Sequence, residues 1–396
     1  MSIAKIAEKF VINKLRSIQK GNLKLVNYDG KVYHFGDLKN SFATNIKINS
    51  HKFYLNIMLG GSSALGESYM NKDFYSTNLT NLIELTAKNI NLIYSFSGSF
   101  KLQKFKNILK RIFASNTKSK SLRYISRHYD LGNEFFSHWL DKTLTYSSAI
   151  YENKDDNLET AQKNKYQKLI NLLDIKNGDK VLEIGCGWGG FSEFLAKKHE
   201  VVIDCITISK KQYDYTKKRI FENGLNNKVN VMFLDYRDLK DKYDKIASIE
   251  MIEAVGEKYL DKYFKTIKNS LKHDGCAAIQ GITIKNELFD RYRTSEDFIQ
   301  KYIFPSGFLP SLDQIKKLTK KNNLNLEKVN SYSEDYAKTL FTWKKNFFMT
   351  WDNILPLGFD DYFKRMWEFY LSYCEAGFKA KNIDLIQFSM SNRHSQ

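Results

Sequence analysis

The chain has 396 residues, 42% hydrophobic and 14% aromatic, and a formal net charge of +18. This composition excludes a disordered or collagen-like polymer, and the length exceeds one ordinary domain. Residues 1–120 carry 19 Lys/Arg against 6 Asp/Glu, so a basic N-terminal module suited to an anionic partner, nucleic acid or membrane surface, precedes a nearly balanced remainder.

Residues 2–20 read as a basic amphipathic helix. Ile3, Ile6, Ala7, Phe10, Val11, Leu15 and Ile18 follow helical spacing, with Lys5, Lys9, Arg16 and Lys20 mostly elsewhere. Residues 22–60 alternate as short strands around the turn signal "YDG", and a helix is expected from Leu79 to Ile90. The first 115 residues thus form a small mixed α/β domain, and "IFASNTKSKSL" (112–122) has a linker's composition. A helix follows from Glu159 to about Leu173. The apolar runs "KVLEIG", "VVIDCITIS", "VNVMFL", "KIASIEM" and "AAIQGITI" then alternate with helical segments. That alternation predicts a mostly parallel, doubly wound sheet over residues 116–396.

Cys186, Cys205, Cys276 and Cys374 are far apart and form no CxxC pair. A disulfide framework or zinc site is therefore not expected, and no metal is assigned. No run of about 18 apolar residues occurs and the N-terminus has no signal-peptide pattern, so the expected place is the cytoplasm, peripheral to the inner membrane face.

"VLEIGCGWGG" (181–190) runs from an apolar strand into Gly185, Gly187, Gly189 and Gly190. Such glycines permit a tight strand-to-helix turn and close approach to a ligand. There is no GxxxxGK[ST] phosphate loop, and the third glycine comes too early for a dinucleotide fingerprint. Glu183 before the glycines and Asp235 after the third strand resemble the pattern of S-adenosylmethionine methyltransferases, with Glu183 at the cationic end of the cofactor and Asp235 at the adenine amine. The second strand ends in "ITISKKQ" with no acid, which leaves Ser209 or Gln212 for the ribose.

The order of "HYDLGNEFF" (128–136), "TYSSAIY" (145–151), "VLEIGCGWGGFSEFLA" (181–196), "ITISKKQ" (206–212), "DYRDL" (235–239), "IEMIEAVG" (249–256), "KYIFPSGFLPS" (301–311) and "YAKTL" (336–340) resembles the cyclopropane-fatty-acyl-phospholipid synthases and their mycolic acid relatives. "GESYM" (66–70) resembles the N-terminal module of the phospholipid enzymes. The resemblance implies a Rossmann-like class I methyltransferase fold. It also implies attack of a lipid C=C on the methyl of S-adenosylmethionine, with bound bicarbonate as the base that closes a cyclopropane ring. Glu253, Tyr336 and the backbone of Ile282 match the bicarbonate site. Tyr146 and Ser147 match a cofactor lid, and Gln212 matches the ribose contact. Gly185, Gly187 and Gly189 match the cofactor loop, with Thr207, Ile208, Ser209 and Tyr236 beside it. Two positions depart from the family: its cysteine is Ser148 here, and its strand-five histidine is Gln280. Both side chains still hydrogen-bond, so they are expected at the bicarbonate, but a methylene- or methyl-branched product becomes an alternative to the ring.

The expected partner is an anionic phospholipid bilayer with unsaturated acyl chains, a homodimer remaining compatible. A nucleic-acid methyltransferase fits the charge but lacks an "NPPY"-type motif or recognisable RNA-binding module, so no nucleic-acid partner is expected. A non-catalytic lipid-binding protein fits Ser148 and Gln280 but not the retained Glu253, Tyr336 and glycine loop.

Overall fold

The computed structural model describes residues 2–91, 118, 121, 131–305 and 307–392. Most of the expected linker, residues 128–130 of "HYDLGNEFF" and Ser306 of "FPSG" lie outside the described residues. The chain forms two compact units. One comprises Met1–Lys110, Thr294–Ile303 and Trp351–Asn382; the other comprises Arg111–Arg293, Phe304–Thr350 and Ile383–Gln396. Where the sequence reading draws one cut near residue 115, the units interleave.

In the first unit, β1 (Asn22–Val26), β2 (Val32–Gly36), β3 (Ala43–Ile48) and β4 (Phe74–Tyr75) form a sheet in the order β2-β1-β3-β4. β1 and β2 form an antiparallel hairpin around Gly30 at φ +83°, while β1 and β3 run parallel. The strand reading fails beyond Ile48. Lys52–Met70 is a helix, because its buried Phe53, Tyr54, Ala64 and Ser68 recur on one helical face. The N-terminal helix spans Ile3–Leu15 and buries Ala7, Val11 and Ile12. Leu79–Lys88 is a helix capped by the Asn78 side chain. The late helix Asp361–Lys379 packs in this unit. The Tyr69 hydroxyl donates to Glu368 at 2.5 Å, and Thr80 donates to buried Glu375 at 3.0 Å. Gly66 of "GESYM" allows the rings of Phe298 and Phe369 to lie directly on its helix, where a Cβ would collide with both.

The second unit holds β5 (Lys180–Ile184), β6 (Val202–Thr207), β7 (Val229–Phe233), β8 (Tyr243–Ile249), β9 (Leu271–Ile284), β10 (Asn325–Ser331) and β11 (Ile383–Ser391). Their order is β10-β11-β9-β8-β5-β6-β7. β5 to β9 pair in parallel, and β11 and β10 close one side antiparallel. This is the expected doubly wound α/β fold. Strand order reverses between β5 and its neighbour β8, which opens a crevice at the carboxyl ends of those two strands. Aliphatic side chains of the sheet and residues of the flanking helices fill cores on its faces, among them Leu182, Ile246, Phe264 and Phe388, and Leu169, Val181, Leu195 and Ile203.

Candidate active site

The glycine loop follows β5. Gly185, Gly187 and Gly189 have φ of +81°, +54° and +81°, so each occupies left-handed backbone that side chains strain. Their surroundings differ. A Cβ on Gly189 would stand 2.5 Å from Cγ2 of Thr216, whereas one on Gly187 would meet nothing within 4 Å. The loop is therefore packed at its end and open at its centre, a cradle that fits the adenosyl-sulfonium cofactor expected there.

Around it Thr207, Ser209 and Gln212 are engaged with one another. Thr207 ends β6, and its hydroxyl donates to Oε1 of Gln212 at 2.9 Å. Ser209 caps the helix Lys210–Glu222, and Ile208 lies between them. Glu183 is buried in β5 and accepts a hydrogen bond from Ser192; burial pushes its carboxyl up to about 7. It braces the helix below the loop. Burial would raise the Asp235 carboxyl, but Arg237, bonded at 2.8 and 2.6 Å, holds it below the ordinary range. Tyr236 is buried and packed edge-on against Tyr263.

"TLTYSSAIY" passes between the helix Leu158–Leu173 and the helix Ser333–Met349. Tyr146 sits among Phe136, Trp139 and Trp343, with ring centroids 5.2, 5.5 and 5.4 Å away. Its neighbour Ser147 accepts from the ammonium of Lys165 at 2.7 Å. Lys165 is fully buried, and desolvation lowers it to about 7. Ser148 is also fully buried, but its hydroxyl donates to the Ala149 carbonyl rather than to an anion. The Ala149 and Tyr151 amides donate to Thr339 at 3.1 Å and Asp335 at 2.7 Å, which fasten the segment to the helix carrying Tyr336.

A pair of carboxylates follows β8, the strand next to the glycine loop. Glu253 accepts from the Ile282 amide, and its other oxygen is buried with no partner among the described residues. Burial, then the nearby charge of Glu250, pushes Glu253 up to about 8. Glu250 has φ +48°. Its Oε1 accepts from the Ser148 amide and from Nε2 of Gln280, both at 2.8 Å. Its Oε2 accepts from the Tyr336 hydroxyl at 2.6 Å. Gln280 is held by Gln387, which donates to its Oε1 at 2.9 Å. The structure thus brings Ser148, Gln280 and Tyr336 together, but around Glu250, while the Ile282 amide is bonded to Glu253. The donors expected for bicarbonate are already taken, so bicarbonate does not fit beside this side chain.

Glu250 and Lys165 are the residues that sequence reasoning missed. The signal for Lys165 was present: with Gln162 it interrupts the apolar stripe Leu158, Ala161, Tyr166, Leu169, Ile170, Leu173. The signal for Glu250 was a second acid three residues before Glu253, at a strand end.

The mycolic acid cyclopropane synthetase family matches residues 116–388. A tuberculostearic acid methyltransferase of Mycobacterium tuberculosis, UfaA1, is 33% identical over 83% of this chain and 79% of its own. The cyclopropane-fatty-acyl-phospholipid synthase of Escherichia coli is 32% identical over 89% of both. That span extends into the N-terminal third. The mycolic acid cyclopropane synthase CmaA1, solved with S-adenosylhomocysteine and CTAB, superposes with a TM-score of 0.64 at 28% identity, over 68% of this chain and 98% of its own.

Proposed function

The chain belongs to the mycolic acid cyclopropane synthetase family, and from that premise we propose that it methylates the C=C bond of unsaturated acyl chains in phospholipids and closes a cyclopropane ring. The observation that carries this reading is the carboxylate pair after β8, beside the glycine loop and linked through Tyr336 to an aromatic cluster. S-adenosylmethionine supplies an electrophilic methyl group. The chain's residues supply the rest. Aromatic faces such as Tyr146, Trp139 and Trp343 stabilise positive charge developing on the lipid through their quadrupoles. A water-poor site keeps that charge from being trapped. An anionic group must then take a proton.

The phospholipid assignment rests on the E. coli relative, whose match extends beyond the catalytic region. The first unit supports it. Ile3 and Ile6 are 70% and 47% exposed on the N-terminal helix, with Lys5 and Lys9 nearby in sequence. This unit docks on anionic bilayers in our reading, and the enzyme works peripherally on the cytoplasmic face. A branched acyl product is the second reading, since the chain is 33% identical to the tuberculostearic acid methyltransferase and 32% identical to the cyclopropane-fatty-acyl-phospholipid synthase.

Purified protein given labelled S-adenosylmethionine should label acyl chains of vesicles made from unsaturated phospholipid and leave saturated ones unlabelled. Acyl mass should rise by one CH₂, and fragmentation after derivatisation separates ring from branch. Unlabelled acyl chains despite demonstrated cofactor binding would refute the proposal.

A further inference from the structure

Glu250 occupies a position shaped for an anion. Its planar carboxylate receives three donors: the Ser148 amide, the Gln280 amide and the Tyr336 hydroxyl. The left-handed backbone at φ +48° is uncommon for a residue with a Cβ. Such strain persists where the surroundings over-determine it. Here they do: the Glu250 amide is tied to the Gln280 carbonyl at 2.8 Å, and the carboxylate is held by three separate segments. Neither departure from the family pattern supplies a base. The Ser148 hydroxyl turns away to Ala149, and both donor directions of Gln280 are consumed, by Glu250 and by the Ser148 carbonyl at 3.3 Å. Burial raises the Glu250 carboxyl, which makes it a stronger base, while its three donors and the nearby charge of Lys165 oppose that rise by favouring the ionised form.

We propose that the Glu250 carboxylate is the enzyme's own base and stands where an external bicarbonate would otherwise sit. This rests on the acyl-methylation reading above. The alkene π pair forms a bond to the incoming methyl carbon as the bond from that carbon to sulfur breaks, leaving a cation on the adjacent lipid carbon. A Glu250 oxygen takes one proton from the transferred methyl. The C–H pair becomes the closing bond of the ring, and the neutralised Glu250 returns its proton to solvent after turnover. No oxidant or reductant is required.

Two measurements test it on the full chain. In the first, bicarbonate is titrated calorimetrically into protein saturated with S-adenosylhomocysteine. The wild type should show no saturable binding in the millimolar range, and Glu250→Gly, whose backbone suits φ +48°, should gain a site. In the second, rates are measured in bicarbonate-stripped buffer. The wild type should change by less than about twofold on adding bicarbonate, whereas Glu250→Gly should fall about 100-fold or more and recover with bicarbonate or formate. Glu250→Gln, which fills the same space without a charge, should stay slow under both conditions. Saturable bicarbonate binding to the wild type, a wild-type rate that depends on bicarbonate, or an unimpaired Glu250→Gly would each overturn the proposal. The binding measurement uses no lipid, so it decides the point about Glu250 even if no acyl chain is ever labelled.

Discussion

Glu253 shows how a single buried side chain couples the site to stability. Its carboxyl rises from 4.5 to about 8, first by burial and then by the charge of Glu250. Between those values the folded chain keeps a proton that the unfolded chain has released, so this group's contribution to stability falls as pH rises through that window and is constant above it. Glu253→Gln keeps an acceptor for the Ile282 amide and cannot ionise. Its thermal midpoint should exceed the wild type's by on the order of 5 °C near pH 8 and by little near pH 4.5. A midpoint difference that does not grow with pH would contradict this. The ordered motifs singled out Glu253, Tyr336, Gln280 and Ser148 as candidates. Their partner Glu250 was not singled out. Local pattern marks Glu250 only as an acid at a strand end and Lys165 only as a break in an apolar stripe, because their contacts with Gln280, Tyr336 and Ser147 join segments far apart in sequence.

At the scale of elements, the glycine loop separates folding from binding within five residues. Gly187 and Gly189 both have positive φ, so alanine at either costs roughly 1 kcal/mol of backbone strain. Only at Gly189 does the new methyl also strike a neighbour, Thr216, whose hydroxyl already holds the Gly187 carbonyl at 3.0 Å. Gly189→Ala should therefore lower the urea midpoint well beyond Gly187→Ala, while Gly187→Ala should lose cofactor affinity by about tenfold or more for a modest stability change. Calorimetry and urea unfolding on the pair check both halves; equal stability losses would contradict the assignment. The parallel strands were readable because buried parallel strands are nearly continuous apolar runs bounded by helices. The helix Lys52–Met70 was misread because its first residues, "KFYLNIML", are aromatic and apolar enough to pass for a strand, and short apolar runs do not distinguish the two.

For the whole molecule, charge asymmetry is the feature with a measurable outcome. The surplus concentrated in residues 1–120, together with exposed Ile3 and Ile6, predicts binding to anionic vesicles that weakens with salt, as screening shortens the reach of surface charges. Replacing Ile3 and Ile6 together by Asp should reduce co-sedimentation several-fold, and should leave cofactor affinity intact. Salt-independent sedimentation, or no effect of the double replacement, would contradict membrane docking by this helix.

The interleaving of the two compact units has a consequence for how the chain is made. The first unit needs Trp351–Asn382, and the second needs β11, which begins at the next residue. Neither can be finished before residues 351–391 have left the ribosome. The usual order, in which an N-terminal domain folds before its successor emerges, is closed to this protein. Both units wait for the same late stretch of chain, and a chain cut short near residue 350 has no intact half to keep.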